Sequence, residues 1–198
     1  MLLTENERRG KAHAVNLALG NCSGEILVIT DGPPGGLYDK DTLYHLVAPF
    51  TDPRIGGVPA LYKVPNSNEN QITASEKTFW TYKEKLRALE SKAYSTSWLS
   101  GEACSFRSGF INQVDDDSLA EDSIVALRLV TKGYRVIVNP NSHFIEKSPS
   151  QINDFLRVKV RRALGGLQEG VRFRFLLFNR GFGHFGLVIF PYRFSARS

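Results

Sequence analysis

Cysteine is scarce in this chain: Cys22 and Cys104 are the two among 198 residues, and no metal-spaced pair can be made from them. That excludes a disulfide framework and a cysteine-built zinc site, and it points to a reducing compartment. The four histidines, His13, His45, His143 and His184, also lack metal-ligand spacing. No apolar run approaches the ~20 residues needed to span a bilayer. No secretory leader is visible, because charged residues follow Met1-Leu2-Leu3 almost at once. There is no internal repeat, no low-complexity segment and no Ser/His/Asp set that stands out.

What is present is the composition of an ordinary folded domain. A 42% hydrophobic content over 198 residues suffices for one domain with a real core. The net charge of +5 is unevenly spread. From Arg157 onward come Lys159, Arg161, Arg162, Arg172, Arg174, Arg180, Arg193 and Arg197, opposed by Glu169. Phe173, Phe175, Leu176, Leu177 and Phe178 interleave with them. Basic and aromatic residues mixed in this way fit an anionic membrane surface, a nucleic acid or a solvated basic face. No nucleic-acid recognition motif accompanies them, and the acidic run Asp115–Asp117 argues against that partner.

Helical and strand patterns alternate, which predicts an α/β layered sheet. Helices are expected over Gly10–Leu19, Asp41–Val47 and Thr73–Tyr94, with a short one near Phe110 and a basic one from Gln151, capped by Ser150. Strands are expected at Glu25–Thr30, Ile55–Val64, Ala103–Arg107, Tyr134–Val138 and His143–Lys147. Pro59 interrupts the second strand and suggests an edge or a bulge. These elements divide into a core over residues 1–150 and a basic amphipathic tail over 151–198.

Chemistry concentrates at a few positions. Leu119–Val138 opens on the acidic pair Glu121-Asp122 and closes its helix on Gly133 before a strand. Ser118 and Glu121 have capping-box spacing, which explains Glu121 structurally and leaves Asp122 to spare. Asp31 ends a strand, where α/β proteins place ligands, although an Asp that merely starts a turn reads the same way. Arg9-Gly10-Lys11 begins a helix and offers an anion site, but it is no P-loop: the first glycine is absent and Ala12 stands where Ser or Thr belongs. Arg161 and Arg162, with Gly165 and Gln168, lie on the basic helix, where guanidinium forks suit diphosphate oxygens.

Taken in order, these pieces resemble the family 2 glycosyltransferases of GT-A fold, and most of all their membrane-associated polysaccharide-synthase members. The matching residues are Arg9-Gly10-Lys11-Ala12 with Ala14 and Asn16, Gly24-Glu25-Ile26-Leu27-Val28 leading to Thr30-Asp31, and Gly101-Glu102-Ala103-Cys104 with Phe106-Arg107. Then come Glu121-Asp122 with Leu127-Arg128-Leu129, Gly133-Tyr134-Arg135-Val136, and Arg161-Arg162 with Gly165 and Gln168.

The resemblance implies a GT-A-like (Rossmann-like), mostly parallel sheet flanked by helices. It implies inverting transfer of a sugar from a nucleotide-diphosphate donor to a hydroxyl on a carbohydrate or lipid-linked acceptor. Asp122 would be the general base, with Glu121 beside it. Lys11, Asp31, Arg161, Arg162 and Gln168 would bind the donor, and Gly101, Glu102 and Arg107 would lie on the acceptor side. Asp31 would hold Mg²⁺ or Mn²⁺. The location would be the cytoplasmic face of the cell membrane, peripheral for this chain and integral for a full-length relative, with no nucleic acid as partner.

Three departures qualify this. Pro33 stands where the second acid of the family's DxD belongs, and Val158 and Arg162 stand for the Gln and Trp of QxxRW. The family's first strand has no counterpart ahead of Glu25, so the chain reads as starting partway into the domain. Gly181–Tyr192 reads as the interfacial approach to membrane helices that do not follow. The alternative expectation is a catalytically inactive fragment of the same fold that binds membrane or a partner subunit.

Overall fold

The computed structural model describes residues 2–4, 7, 9–31, 37–110 and 121–195, with the side chain of Glu121 outside that description. The elements in chain order are α1 (Lys11–Leu19), β1 (Ile26–Thr30), β2 (Leu37–Tyr38), α2 (Thr42–Val47), β3 (Ile55–Pro59), β4 (Leu61–Lys63) and α3 (Gln71–Ala93). After these come β5 (Ala103–Arg107), α4 (Glu121–Thr131), β6 (Arg135–Val136), β7 (His143–Ile145), α5 (Ile152–Arg172) and α6 (Phe190–Ser195). Short 3₁₀ and π turns join α5 to α6.

The main sheet has the order β1-β5-β3-β6. Strands β1, β3 and β6 run the same way, while β5 is reversed between β1 and β3. A smaller sheet has the order β2-β7-β4. The stretch expected as one strand over Ile55–Val64 is therefore two strands in two sheets. Pro59 ends a central, buried strand instead of lying on an edge, and the chain passes to the second sheet at Ala60. The ladder survives because the Ala60 N–H takes the next bond, to the Ala103 carbonyl at 2.9 Å.

Alternation sorts the side chains of β1 and β5 onto two faces. Leu27, Ile29, Cys104 and Phe106 join one apolar cluster with α4. Ile26, Val28 and Ala103 join the other, with Leu46, Val58, Tyr62, Trp80 and Phe144. Helix α4 and the turn after it lie so close to β3 that a Cβ on Gly56 would come within 2.7 Å of Tyr134 Cβ and 3.1 Å of Leu129 Cδ2, so a side chain there would push the layers apart. Gly133, at φ 86°, turns the chain from α4 into β6 as expected of a residue just past a helix end.

Other expectations are revised. Ser108–Phe110 is a turn. Gln151, without a side-chain bond, precedes α5, and the Ser150 carbonyl instead accepts from Asn70. The Ser118 cap lies outside the described residues. Phe173, Leu176, Phe185, Ile189 and Phe190 pack into the α4 cluster, so the tail shares the core's apolar interior.

Helix α5 is attached through charge. The Glu76 carboxylate on α3 is buried yet lies 2.6 Å from Lys159 Nζ and 3.9 Å from an Arg162 nitrogen. It also accepts from Trp80 Nε1 at 3.2 Å. Lys159 sits 3.9 Å over the Phe79 ring, and Arg162 sits 4.9 Å over the Trp80 ring. The outer side of α5 is apolar: Ile152, Leu156, Val160, Leu164, Leu167 and Val171 recur at helical spacing and are all exposed. The helix thus turns Lys159 and Arg162 toward α3 and leaves a hydrocarbon stripe outward beside the exposed Arg157 and Arg161.

Removing the buried carboxylate strands two cations against aromatic rings. We expect Glu76→Ala to cost about 2 kcal/mol, since hydrogen bonds to charged groups contribute in that range. Denaturant unfolding checks this, and an unchanged midpoint would show that α5 is held by other contacts.

Candidate functional site

The reversed direction of β5 creates the site. Its first residues lie beside the end of β1, with Thr30 opposite Ala103. The Asp31 N–H continues the ladder to the Glu102 carbonyl at 2.9 Å. Gly101 and Glu102 thereby meet Asp31 at the carboxyl end of β1, where α/β sheets expose ligands.

Lys11, the first residue of α1, reaches this point. Its ammonium is 2.9 Å from Asp31 Oδ1 and donates to the Gly101 carbonyl at 2.8 Å. Asp122, at the start of α4, closes the other side. A Cβ on Gly101 would lie 3.3 Å from Lys11 Nζ and 3.6 Å from Asp122 Oδ2, so glycine leaves open the space between carboxylate and ammonium. Asp122 Oδ1 accepts the Ser123 N–H at 2.8 Å. The Asp122 carboxylate is therefore not wholly spare, as the sequence suggests. One oxygen satisfies the helix start and the other faces Gly101. Asp31 adjoins these residues through its ion pair with Lys11. Lys11, Gly101 and Asp122 line a small cleft, open to solvent, whose apolar wall includes Val15, Ile29, Leu99 and Val125. Cys104 also lines it, and burial, followed by the charge of Asp122, pushes its thiol well above the ordinary range.

Two residues join the site without a signal in the sequence reading. The Tyr38 hydroxyl lies 3.0 Å from both the Asp31 and the Glu102 carbonyls and donates to them. Burial, then the charges of Asp31 and Glu102, raises its pKa. Glu146 follows β7, and its N–H bonds the Lys63 carbonyl at 3.2 Å. Its carboxyl is pushed up to about 7, first by burial and then by the Glu102 charge, against the pull of Arg162. Pairing of β7 with β2 and β4 brings both residues here, and that pairing is not visible in local pattern.

The other predicted residues divide. Arg162 points inward, and its charge reaches Glu146. Arg161, the next residue, lies on the exposed side of α5, and Gln168, about two turns on, shares its face and is half-buried. Glu102 accepts from Ser100 Oγ at 2.8 Å. Arg107 lies at the opposite end of β5, opposite Ile26, where it donates to the Ile55 and Phe50 carbonyls at 2.9 and 2.7 Å. The structure gives it a role in tying the sheet together, away from the cleft. The Glu121 side chain lies outside the description.

Asp31 is the residue expected to hold a divalent cation. Among the described residues, no three His, Cys, Asp or Glu side chains gather as a metal-binding group. Asp31 itself faces an ammonium. The described residues therefore do not fit a multi-carboxylate metal site.

The raised Glu146 carboxyl has a pH consequence. The folded chain holds this proton more tightly than the unfolded chain, so its contribution to stability is full below the ordinary value of 4.5 and is lost as pH rises through about 7. Glu146→Gln removes that dependence. Melting temperatures measured across this window are expected to fall less with pH for the variant, and parallel curves would refute the burial of this group.

Residues 37–196 match the family described as glycosyl transferase family group 2. Poly-β-1,6-N-acetyl-D-glucosamine synthase of Staphylococcus aureus strain COL is 24% identical over 164 residues, covering 81% of this chain and 39% of that protein. The strain N315 protein of the same name matches equally. The mannosyltransferase PcManGT of Pyrobaculum calidifontis, solved in complex with GDP-Man and Mn²⁺, superposes with a TM-score of 0.74 at 27% identity, over 100% of this chain and 55% of that one. The chain thus spans about two fifths of the length of these curated relatives and about half that of the solved structure. With most of its length inside that family's bounds and its sheet and helices arranged as in a GT-A enzyme, the chain belongs to the family 2 glycosyltransferases.

Proposed function

We propose that this chain forms the transfer centre of an inverting glycosyltransferase that moves a sugar from a nucleotide-diphosphate donor to a hydroxyl of a carbohydrate or lipid-linked acceptor. The observation that carries this is the meeting of Lys11, Gly101 and Asp122 in one cleft, with Asp31 paired to Lys11 beside it at the carboxyl end of β1. The relatives are a polysaccharide synthase and a mannosyltransferase, which supports the reaction class.

In this reading Asp122 Oδ2 takes the proton of the acceptor hydroxyl as that oxygen bonds to the anomeric carbon. The bond from the anomeric carbon to the diphosphate breaks, and its electron pair leaves with the nucleotide. Gly101 leaves room for the attacking group, and Tyr38 steadies the carbonyls that flank Asp31. Release of nucleotide from UDP-N-acetylglucosamine and from GDP-mannose tests the reading. Asp122→Asn is expected to lower the rate by about 10²-fold or more while leaving donor binding in place. A variant that turns over at the rate of the parent chain would leave the inactive-fragment reading standing instead.

We further propose that the outer face of α5 rests on an anionic membrane surface, which would place the site at the cytoplasmic face of the cell membrane. No described helix is long and apolar enough to cross a membrane. The exposed stripe from Ile152 to Val171 is instead suited to lie in the interface, and the exposed Arg161, Arg174 and Arg180 suit anionic head groups. Co-sedimentation with phosphatidylserine vesicles is expected for the parent chain and lost in the double variant Leu156→Asp, Leu164→Asp. Equal sedimentation of both would remove this placement.

A further inference from the structure

We propose that the chain holds the donor's diphosphate with two side-chain cations, Lys11 and Arg162, so that donor binding does not require a divalent metal. This rests on the nucleotide-sugar reading above and goes beyond it, because it departs from the metal expected through Asp31.

The first support is where Lys11 sits. Its ammonium lies 2.9 Å from a carboxylate oxygen of Asp31 and 2.8 Å from the Gly101 carbonyl oxygen. Carboxylate and carbonyl oxygens are what a hard divalent cation would take as ligands. The ammonium thus fills the cation position beside Asp31, and a metal would have to displace it. The second support is the sequence after Asp31. Gly32-Pro33-Pro34-Gly35-Gly36 contains no carboxylate, and Asp39, the next acid and the expected substitute along with Asp41, pairs with Lys63 at 3.5 Å instead.

The third support is Arg162. Glu76, at 3.9 Å, and the Trp80 ring, at 4.9 Å, steady its guanidinium from behind. Its side chain stays 37% exposed, so the guanidinium is open to a ligand. Lys11, Asp31, Glu102 and Arg162 all act on the carboxyl of Glu146, which puts both cations in one neighbourhood. A guanidinium fork and an ammonium together can offset the charge that builds on the diphosphate oxygen as the anomeric bond breaks. The acceptor's proton still passes to Asp122. Arginine in place of the family's tryptophan then has a chemical purpose, since it supplies the second cation.

Calorimetric titration of UDP and of GDP into the 198-residue chain, in EDTA and in Mn²⁺, tests this. At least one nucleotide is expected to bind, with a Kd in EDTA within about threefold of that in Mn²⁺. Lys11→Met is expected to weaken binding by about tenfold or more and Lys11→Arg to keep it within a few fold, with melting curves showing both variants folded. Binding that appears only with Mn²⁺, or that survives unchanged in Lys11→Met, overturns the proposal and leaves the transferase reading intact. No binding of either nucleotide in either condition overturns both.

Discussion

One ammonium ties the cleft together. Lys11 begins α1, yet its bonds go to Asp31 at the end of β1 and to Gly101 just before β5, opposite Asp122 at the start of α4. Four separate segments end within a few ångströms of that charge. Helix α1 has a single buried residue, Ala12, so burial alone anchors it weakly. The ion pair and the carbonyl bond fix where its first turn points. Around that fixed charge, the reversed β5 and the close packing of α4 on β3 set the width of the cleft.

A second use of charge explains α5. The helix turns Lys159 and Arg162 toward the interior, where a buried carboxylate and aromatic rings receive them. Burying Glu76 without partners would cost several kcal/mol, so the pairing is what makes this arrangement tolerable. The consequence is an exposed hydrocarbon stripe on the other side. An ordinary surface helix hides that stripe, and here the charge pairing holds it outward. The same contacts that turn Arg162 toward α3 thereby also present the apolar face to whatever lies outside. Site and surface are coupled through one carboxylate.

Much of this was legible in the chain itself. Helices α1 to α4 and strands β1 and β5 follow from periodicity and breakers to within a residue or two, whereas β2 was not foreseen and β3 and β4 were read as one strand; Gly133 behaves as a helix-ending glycine should. The ordered set of Lys11, Asp31, Gly101 and Asp122 pointed to one family, and the structure brings those four residues together. Pro59 was misleading because its missing N–H ends a strand at a point where the chain changes sheets, and local sequence cannot distinguish that from an edge. Arg107 was misleading because its motif neighbours Gly101 and Glu102 lie just before the other end of the strand, about 17 to 20 Å away at some 3.3 Å per residue.

The sequence by itself determined most of the local elements and the family, since these depend on spacing along one segment and on the order of segments. Only the tertiary structure decided which charges meet. Glu146 and Tyr38 enter the site through the pairing of β7 with β2 and β4. Arg162 enters and Arg161 stays outside because Glu76, eighty-odd residues earlier, selects one face of α5. An ion pair between distant segments leaves no periodicity in either of them, and for that reason the electrostatics of this cleft could not be read until the chain was folded.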